Sequence, residues 1–483
     1  MRYAQATVIT SLATLLLAAL MTNAASVGAS SPATSNVPSF TPAVSVTAPG
    51  SVAQYPQFNA VSCWSPGECL AVGSAYDGLS STYPAYALEA SGHWGPAQVI
   101  DAGHFPGWAY GVSCWAQSQC AVVGFASATN TAFGIIYRAG SWTDTLLTGM
   151  DLYVYPTLES VSCRSDGSCV AVGVASGVSG SNGIATTFSQ DSWSPLTPTS
   201  LSDSDVSSLR GVSCVNQGGC TAVGADASGP LVMTAPLGSP TFTNPHTIAG
   251  PTSQPQARLL SVSCSTASDC TAIGSAGAYG CAGDHILHAS TPKATCATKR
   301  NQIGFDYVNN VSGFAVDESN GTWNTSVAMV QNAAASGSGP TSVSCTSPGY
   351  CVEVGTTLVN NVDQGAFATE IHGVWNRESL VTLAQDQSYL YLNGVSCTQP
   401  GGCTAVGFGS AGMMATDSPA NVPPTTPTTM PPATLATTAP TTPSATLAAT
   451  GSNEVLLLVG SLVLTVLGLA LVLRRRIAIP RAE

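Results

Sequence analysis

The stretch NAVSCWSPGECLAVG, residues 59–73, places Cys63 and Cys69 six positions apart between two short apolar runs, the second of which ends in glycine. The same pattern recurs six more times in the 483-residue chain. The further copies are GVSCWAQSQCAVVG from Gly111, SVSCRSDGSCVAVG from Ser160, GVSCVNQGGCTAVG from Gly211, SVSCSTASDCTAIG from Ser261, SVSCTSPGYCVEVG from Ser342 and GVSCTQPGGCTAVG from Gly394. One unit is therefore repeated seven times.

The spacing of the copies indicates the architecture. Successive first cysteines lie 51, 49, 51, 50, 81 and 52 residues apart, and a period of about fifty residues with four strands per unit is typical of a β-propeller blade. Val-Ser-Cys leads into a short turn and Cys-x-Ala-Val-Gly leads out, which predicts a bridged β-hairpin. A third strand ending at Trp and a more polar fourth strand follow. We predict an all-β, seven-bladed β-propeller over residues 43–418, with an insertion at residues 275–313.

The two ends of the predicted propeller complement each other. The last unit has only three strands, whereas residues 43–48 precede the first unit and align with a fourth strand. We predict that this segment completes the seventh blade and closes the ring, which leaves no open sheet edge. A linear solenoid of hairpins is the alternative, but it would need capping units at both ends. Residues 26–42 are predicted to be disordered.

The chain termini carry export and anchoring signals. Residues 1–25 have the layout of a secretory signal peptide. Residues 455–473 are apolar and, as a helix, would cross the ~30 Å of bilayer hydrocarbon. The arginines that follow predict that residues 474–483 form a cytoplasmic tail and that the rest of the chain lies outside.

All sixteen cysteines fit an exported chain, where an even count predicts a disulfide framework. The predicted bridges are Cys63–Cys69, Cys114–Cys120, Cys163–Cys169, Cys214–Cys220, Cys264–Cys270, Cys281–Cys296, Cys345–Cys351 and Cys397–Cys403. Zinc is not expected, because five residues separate most partners and no histidine lies in a matching position. We predict no metal and no cofactor.

A stalk and a short motif precede the apolar run. Residues 419–446 are almost entirely Pro, Thr and Ala, which predicts an extended stalk. LAATG follows at residues 447–451, and this order is similar to a cell-wall sorting signal of the LAxTG type used by one class of actinobacterial sortases. The resemblance implies a sortase as a partner and cleavage between Thr450 and Gly451. A plain membrane anchor is the alternative.

The repeat itself resembles a group of secreted seven-bladed propellers of actinobacteria, in which a Val-Ser-Cys and Cys-x-Ala-Val-Gly unit recurs with Gly-x-Trp downstream. The resemblance covers residues 43–418. Those proteins share a fold without one shared activity, so the resemblance implies a scaffold and no catalytic residues.

The charge of the chain restricts its partners. Between Ser26 and Asn453, eight Lys plus Arg stand against twenty-three Asp plus Glu. Binding to phosphate backbones needs clustered cations, so no nucleic acid partner is expected.

Aromatic residues indicate a binding face. In an antiparallel blade, the blade-to-blade loops and the loops between second and third strands share one face, here called the loop face, and the cystine turns share the other, here called the cystine face. Tyrosines concentrate in the loop-face segments and suit contacts with proteins or sugar rings, although several rings could pack under their own loops. The fifth unit adds a loop that we expect Cys281–Cys296 to pin. The predicted binding residues are Tyr55, Trp108, Tyr110, Tyr153, Tyr155, Tyr389, Tyr391, His285, His288 and Lys293.

The functional prediction is a cell-surface-anchored binding or adhesion module for glycan or protein ligands. No HExxH, GxSxG, P-loop or GxGxxG motif is present in a fitting context, and no catalytic residue is assigned. One alternative is a carbohydrate-active enzyme, a glycoside hydrolase or lyase, which would need two carboxylates about 5 to 9.5 Å apart in a cleft. The other is a passive structural wall protein.

Overall fold

The computed structural model describes residues 40–46, 54–77, 81–100, 105–150, 153–176, 181–199, 207–236, 238–251, 257–277, 312–383, 387–410 and 412–416. The chain divides into two compact units, Met1–Val422 and Pro423–Glu483, and all of the second lies outside the described residues. The predicted signal peptide, stalk, LAATG motif, apolar span, cytoplasmic tail and Cys281–Cys296 bridge also lie outside them. Within the described ranges, no helix is long and apolar enough to cross a bilayer.

Seven antiparallel sheets of four or five strands form the described structure, which confirms the predicted seven-bladed propeller. In each sheet the first strand of the repeat lies nearest the axis and pairs with the second. The inner strands are β2 (Gln54–Ser65), β7 (Gly107–Ala116), β11 (Val154–Cys163), β16 (Ser208–Val215), β20 (Arg258–Thr266), β25 (Ala335–Ser347) and β30 (Tyr391–Gln399). The second strands are β3 (Glu68–Tyr76), β8 (Gln119–Ala126), β12 (Cys169–Ser176), β17 (Gly219–Asp226), β21 (Asp269–Ala276), β26 (Tyr350–Val359) and β31 (Gly402–Phe408).

The third and outer strands complete each blade. The third strands are β4 (Thr82–Ala90), β9 (Thr131–Arg138), β13 (Ser181–Ser189), β18 (Gly229–Ala235), β22 (Ser312–Ser319), β27 (Val362–Ile371) and β32 (Gly412–Thr416). The outer strands are β5 (His93–Trp94) with β6 (Gln98–Val99), β10 (Ser141–Leu146), β14 (Ser192–Trp193) with β15 (Thr197–Pro198), β19 (Thr243–Thr247), β23 (Thr322–Trp323) with β24 (Val327–Ala328), β28 (Val374–Trp375) with β29 (Ser379–Leu380), and β1 (Val44–Val46).

Two details within the blades differ from the sequence prediction. The repeated Trp belongs to the outer strand and does not precede it: Trp94 pairs with Glu89, because Ser91 and Gly92 turn the chain tightly with φ values of 52° and 75°. The insertion in the fifth blade is shorter than residues 275–313, since β21 continues to Ala276 and β22 begins at Ser312.

The ring closes through the amino-terminal strand, as predicted for residues 43–48. Strand β1 pairs with β32, with Val44 opposite Met414 and Val46 opposite Gly412. Beyond the strand, Phe40 packs edge-on against Phe367 of the sixth blade, with ring centroids 5.0 Å apart. Residues 40–42, which the sequence predicted to be disordered, are therefore part of the propeller: Phe40 is buried, and the Thr41 backbone N–H donates to the Thr416 carbonyl at 2.9 Å.

Seven predicted bridges lie within the described residues, and each joins directly opposed residues of an inner hairpin. Their Cα atoms are 3.9 to 4.0 Å apart, as suits the closer class of antiparallel pair. Restricting a seven-residue loop in the unfolded chain stabilises a hairpin by about 2.4 kcal/mol. These bridges support blades whose small side chains bury limited apolar area.

The serine of each Val-Ser-Cys segment joins neighbouring blades. Its Oγ accepts a hydrogen bond of 2.9 to 3.0 Å from the backbone N–H of the first cysteine in the next blade, at all seven junctions. At the closing junction, Cys63 donates to Ser396. The seven serines therefore form a ring of hydrogen bonds around the axis.

Candidate functional site

One position of the repeat departs from strand register in every blade. It lies four residues before the first cysteine: Ala109 pairs with Gly124 and Gly111 with Val123, so Tyr110 falls between them. The same shift occurs in all seven inner strands. A β-bulge of this kind redirects the side chain of the extra residue. The seven bulge residues are Asn59, Tyr110, Glu159, Arg210, Leu260, Thr341 and Asn393.

The glycine that ends each Cys-x-Ala-Val-Gly segment makes room for the bulge. A Cβ on Gly124 would lie 2.0 Å from the carbonyl oxygen of Trp108, and the six equivalent distances are between 1.8 and 2.4 Å. No real side chain approaches backbone so closely. The constant glycine and the variable bulge residue are therefore two parts of one feature.

Substituting that glycine should damage fold and site together. We expect Gly124→Ala to lower the free energy of unfolding by about 1 to 3 kcal/mol, because the added methyl group must displace backbone. Chemical denaturation measures the loss. Gly95→Ala is the matched control, since its Cβ would meet nothing nearer than 3.5 Å, and an equal loss in both variants would refute the role of the bulge.

The bulge residues surround the propeller axis. All seven are partly buried, and the inner strands that carry them contact one another in a closed ring. Several reach the next blade: the Asn59 amide donates to the Ala109 carbonyl at 2.8 Å, and the Asn393 amide donates to the Phe58 carbonyl at 3.0 Å. The lining of the axis is thus polar and held in place by hydrogen bonds between blades.

Glu159 and Arg210 form an ion pair across the junction of the third and fourth blades. Nη1 of Arg210 lies 2.7 Å from both carboxylate oxygens of Glu159, and each side chain is 18% exposed. Tyr110 lies beside them, and burial, followed by the negative charge of Glu159, raises the pKa of its phenol, while Arg210 opposes the rise. The phenol therefore stays protonated at neutral pH and able to donate a hydrogen bond.

Trp108 and Tyr391 occupy the same repeat position, two residues before the bulge. Each lies nearly parallel to the phenylalanine opposite it in the second strand: Trp108 on Phe125 at 6.2 Å, and Tyr391 on Phe408 at 4.9 Å between centroids. The Tyr391 hydroxyl also hydrogen-bonds a carboxylate of the neighbouring blade, and its ring contacts Tyr389 edge-on at 5.8 Å. These rings are fixed and only partly exposed.

Tyr55 and Tyr155 also share a repeat position, four residues before the bulge. They are 67% and 50% exposed, with φ values of 50° and 54°. Tyr153 packs partly against the core between the second and third blades. Phe58 and Phe105, which lie in loop-face segments of the sequence, are core residues.

The predicted aromatic residues thus fall on four consecutive blades, the seventh, first, second and third, and form what we call the aromatic arc. Its members are Tyr389, Tyr391, Tyr55, Trp108, Tyr110, Tyr153 and Tyr155. His285, His288 and Lys293 lie outside the described residues. Over the described ranges, no group of three or more His, Cys, Asp or Glu is placed to hold a metal ion.

Six bulge residues were missed by sequence reasoning, although a signal for them was present. Aligning the seven copies on Val-Ser-Cys shows one position that varies among Asn, Tyr, Glu, Arg, Leu and Thr next to a nearly constant segment. Between this position and the first cysteine, the three residues of every copy are small or apolar.

No protein-family model matches this chain, and no curated protein matches it. Solved structures with a similar fold include an ulvan lyase of polysaccharide lyase family PL25, at 9% identity over 76% of this chain and 95% of that one, with a TM-score of 0.47. A GH93 α-L-arabinofuranosidase of Fusarium graminearum matches at 9% identity, over 78% of this chain and 97% of that one, with a TM-score of 0.41. A subtype N11 neuraminidase-like protein of a flat-faced bat influenza A virus matches at 13% identity, over 80% and 97%, with a TM-score of 0.37.

The sheet topology makes the chain an all-β propeller, and its structural neighbours include enzymes that act on glycans. Identities this low transfer no activity to it. The resemblance of the repeat to the actinobacterial group, and the sorting signal, remain predictions.

Proposed function

We propose that this protein is a binding module anchored at the cell surface, and that it takes a glycan at the loop-face mouth of the propeller axis. One observation carries the proposal: the bulge position of the repeat varies freely, from Asn and Thr to Tyr, Glu and Arg, and the fold brings all seven of those side chains around the axis. Variation concentrated where side chains converge is expected of a ligand site on a constant scaffold.

The chemistry of that mouth favours a ligand rich in hydroxyl groups. Asn59 and Asn393 carry amides, Tyr110 a protonated phenol, and Glu159 with Arg210 a partly exposed ion pair. Such groups are hydrogen-bond donors and acceptors, and the aromatic arc offers ring faces against which a sugar can pack.

Binding is favoured over catalysis at this site. Glu159 is the carboxylate among the bulge residues, and its two oxygens are both engaged by Arg210. A glycosidase would need a second carboxylate facing it, and the remaining bulge residues are Asn, Tyr, Arg, Leu and Thr. A hydrolase or lyase on the loop face is therefore the second reading, and a passive wall protein the third.

The proposed location follows from the sequence signals. Residues 1–25 would direct export, and either residues 455–473 would hold the protein in the membrane or a sortase would cut at Thr450 and attach it to the wall. The stalk, residues 419–446, would then present the propeller away from the surface, where polysaccharides and foreign glycans are the available ligands.

The test is retention of the purified protein on a panel of wall polysaccharides and other glycans. We expect Glu159→Gln with Arg210→Leu to weaken retention at least about tenfold, since hot-spot truncations commonly cost 2 kcal/mol or more. Both charges are removed together so that neither is left unpaired, and leucine already occupies this position in the fifth blade as Leu260.

Arg138→Ala serves as the control, because Arg138 pairs with Asp191 at an exposed site on the cystine face. Equal losses in both variants would contradict the proposed site. Release of reducing ends from a retained glycan would favour the enzyme, and the absence of retention on every glycan would leave a protein ligand or a structural role.

A further inference from the structure

An acidic cleft lies on the cystine face between the fifth and sixth blades, opposite the proposed glycan site. Its volume is about 220 Å³, and none of its lining residues is Lys, Arg or His. Hydroxyls, two cystine hairpins and four carboxylates line it. The four carboxylates belong to Asp269, Asp317, Glu318 and Glu370.

Two of these acids meet across the blade junction. Thr271 of the fifth blade donates its hydroxyl proton to Asp317 Oδ1 at 2.8 Å, and Glu370 of the sixth blade also hydrogen-bonds Thr271. Glu370 is 1% exposed, and its Oε2 is buried without a hydrogen-bond partner in the described structure. Burial of a charged oxygen is unfavourable unless a hydrogen bond or an opposite charge compensates for the lost water, and this oxygen has no such hydrogen bond.

The pKa values of Asp317 and Glu370 reflect this lack of compensation. Burial, followed by the charge of Asp317, raises the pKa of Glu370 to about 7, and burial raises the pKa of Asp317. No cationic side chain stands among the cleft residues to oppose these shifts. With no cationic side chain in the cleft, Asp317 and Glu370 are neutralised by binding a proton. A bound cation could replace that proton.

The junction between the seventh and first blades provides a comparison within the molecule. Glu89 lies opposite Cys69 as Glu370 lies opposite Cys351. Thr404 corresponds to Thr271, but the residue that pairs with it is Thr416, where the fifth blade has Asp317. Glu89 shares the buried Oε2 without a hydrogen-bond partner, and burial, followed by the charge of Glu68, raises its pKa to about 7, while His93 opposes the rise. The fold thus forms this junction with threonine where the fifth blade has Asp317, so the architecture does not require an acid at that position.

We propose that this cleft binds an alkylammonium group, with Asp317 and Glu370 as its anionic partners. An ammonium group has three donors and needs no fixed coordination sphere, whereas no set of three ligands in the described chain is placed for a metal ion. The cleft is smaller than the roughly 300 to 1,000 Å³ typical of whole small-molecule sites. It therefore suits the head group of a larger molecule, either a lysine side chain or an amino sugar.

The experiment is calorimetric titration of the full chain at about pH 6, below the raised pKa of Glu370. The probes are Nα-acetyl-lysine methylamide, which keeps its free ε-amine, and the glucosamine trisaccharide. Each is compared with its fully N-acetylated counterpart. We expect at least one amine to bind and neither acetylated probe to do so. The arm that binds identifies the source of the ammonium group.

Variants locate the site. Asp317→Asn and Glu370→Gln should each weaken amine binding at least about tenfold, since each removes one partner of a buried charge contact. Glu89→Gln, at the equivalent position of the first blade, should leave it unchanged. Melting curves check that the variants are folded, and the glycan retention assay separates failure here from failure at the loop face.

A second measurement does not depend on variants. Amine binding should displace a proton from Glu370, so the heat of binding should differ between buffers of different ionisation enthalpy. Any one of four results would overturn the proposal. These are equal heats of binding in the two buffers, equal binding of the acetylated probes, unchanged binding by Asp317→Asn, and no binding of either amine at a concentration of about 10 mM, where even a very weak complex would form.

Discussion

Deletion of residues 26–46 should open the propeller and reduce its stability by about 3 to 5 kcal/mol. The segment supplies β1, the outer strand of the seventh blade, together with the buried side chains of Phe40 and Val46. Burial of a large apolar side chain stabilises a fold by about 1.5 to 3 kcal/mol, and the deletion also leaves the edge of β32 unpaired. Thermal and chemical denaturation would measure the loss.

Deletion of residues 26–38 is the matched control for this experiment, because it shortens the chain but keeps Phe40 and β1. The control should melt like the intact protein. An unchanged melting curve after the longer deletion would show that the seventh blade is stable without its amino-terminal strand, and would refute closure as a source of stability.

Stability should fall as the pH rises from about 4.5 to 7. Burial is the largest cause of a raised pKa at six carboxyl groups, and it takes two of them, Glu89 and Glu370, from 4.5 to about 7. The six are Glu89, Asp317, Glu318, Glu353, Glu370 and Glu378. The folded state holds these protons more tightly than the unfolded chain. Their stabilising contribution is therefore complete below the unfolded pKa and lost as the pH passes the folded pKa.

Denaturant midpoints at about pH 5.5 and pH 8 test this linkage. Glu370→Gln should make the protein less sensitive to pH across that window, because glutamine keeps the shape and carries no titrating group. Asp191→Asn, which removes an exposed charge, should leave the slope as it is, since exposed pairs contribute little. A midpoint that rises with pH would contradict the assignment.

The fold could be predicted because the same strand and turn pattern occurs in every repeat. Val-Ser-Cys and Cys-x-Ala-Val-Gly define the inner hairpin seven times, and the spare amino-terminal strand matches the missing strand of the last unit. Of the predicted binding residues, Tyr55 and Tyr155 are exposed, and their role in binding stays a prediction. Several loop aromatics could pack under their own loops, and Tyr153 does pack partly against the core, because one sequence does not distinguish a core aromatic from a loop aromatic.

The acidic cleft could not be predicted, because it depends on which strands of different blades face each other. Asp317 and Glu370 lie 53 positions apart, and Thr271 lies 46 positions before Asp317. A weaker signal was nevertheless present: Glu353 breaks the Cys-x-Ala-Val-Gly pattern in the sixth copy, and it proves to be fully buried on the side of its sheet that also carries Glu370.

The hydrogen bond from each first cysteine to the preceding serine has a consequence for how such a molecule can change. Every blade offers its successor the same acceptor and its predecessor the same donor, so each joint is interchangeable with the other six. The chain could begin at another blade by circular permutation, or exchange one whole repeat for another, without a new joint having to be devised. Each exchange would deliver one new side chain to the axis, and the lining of the mouth could evolve one repeat at a time.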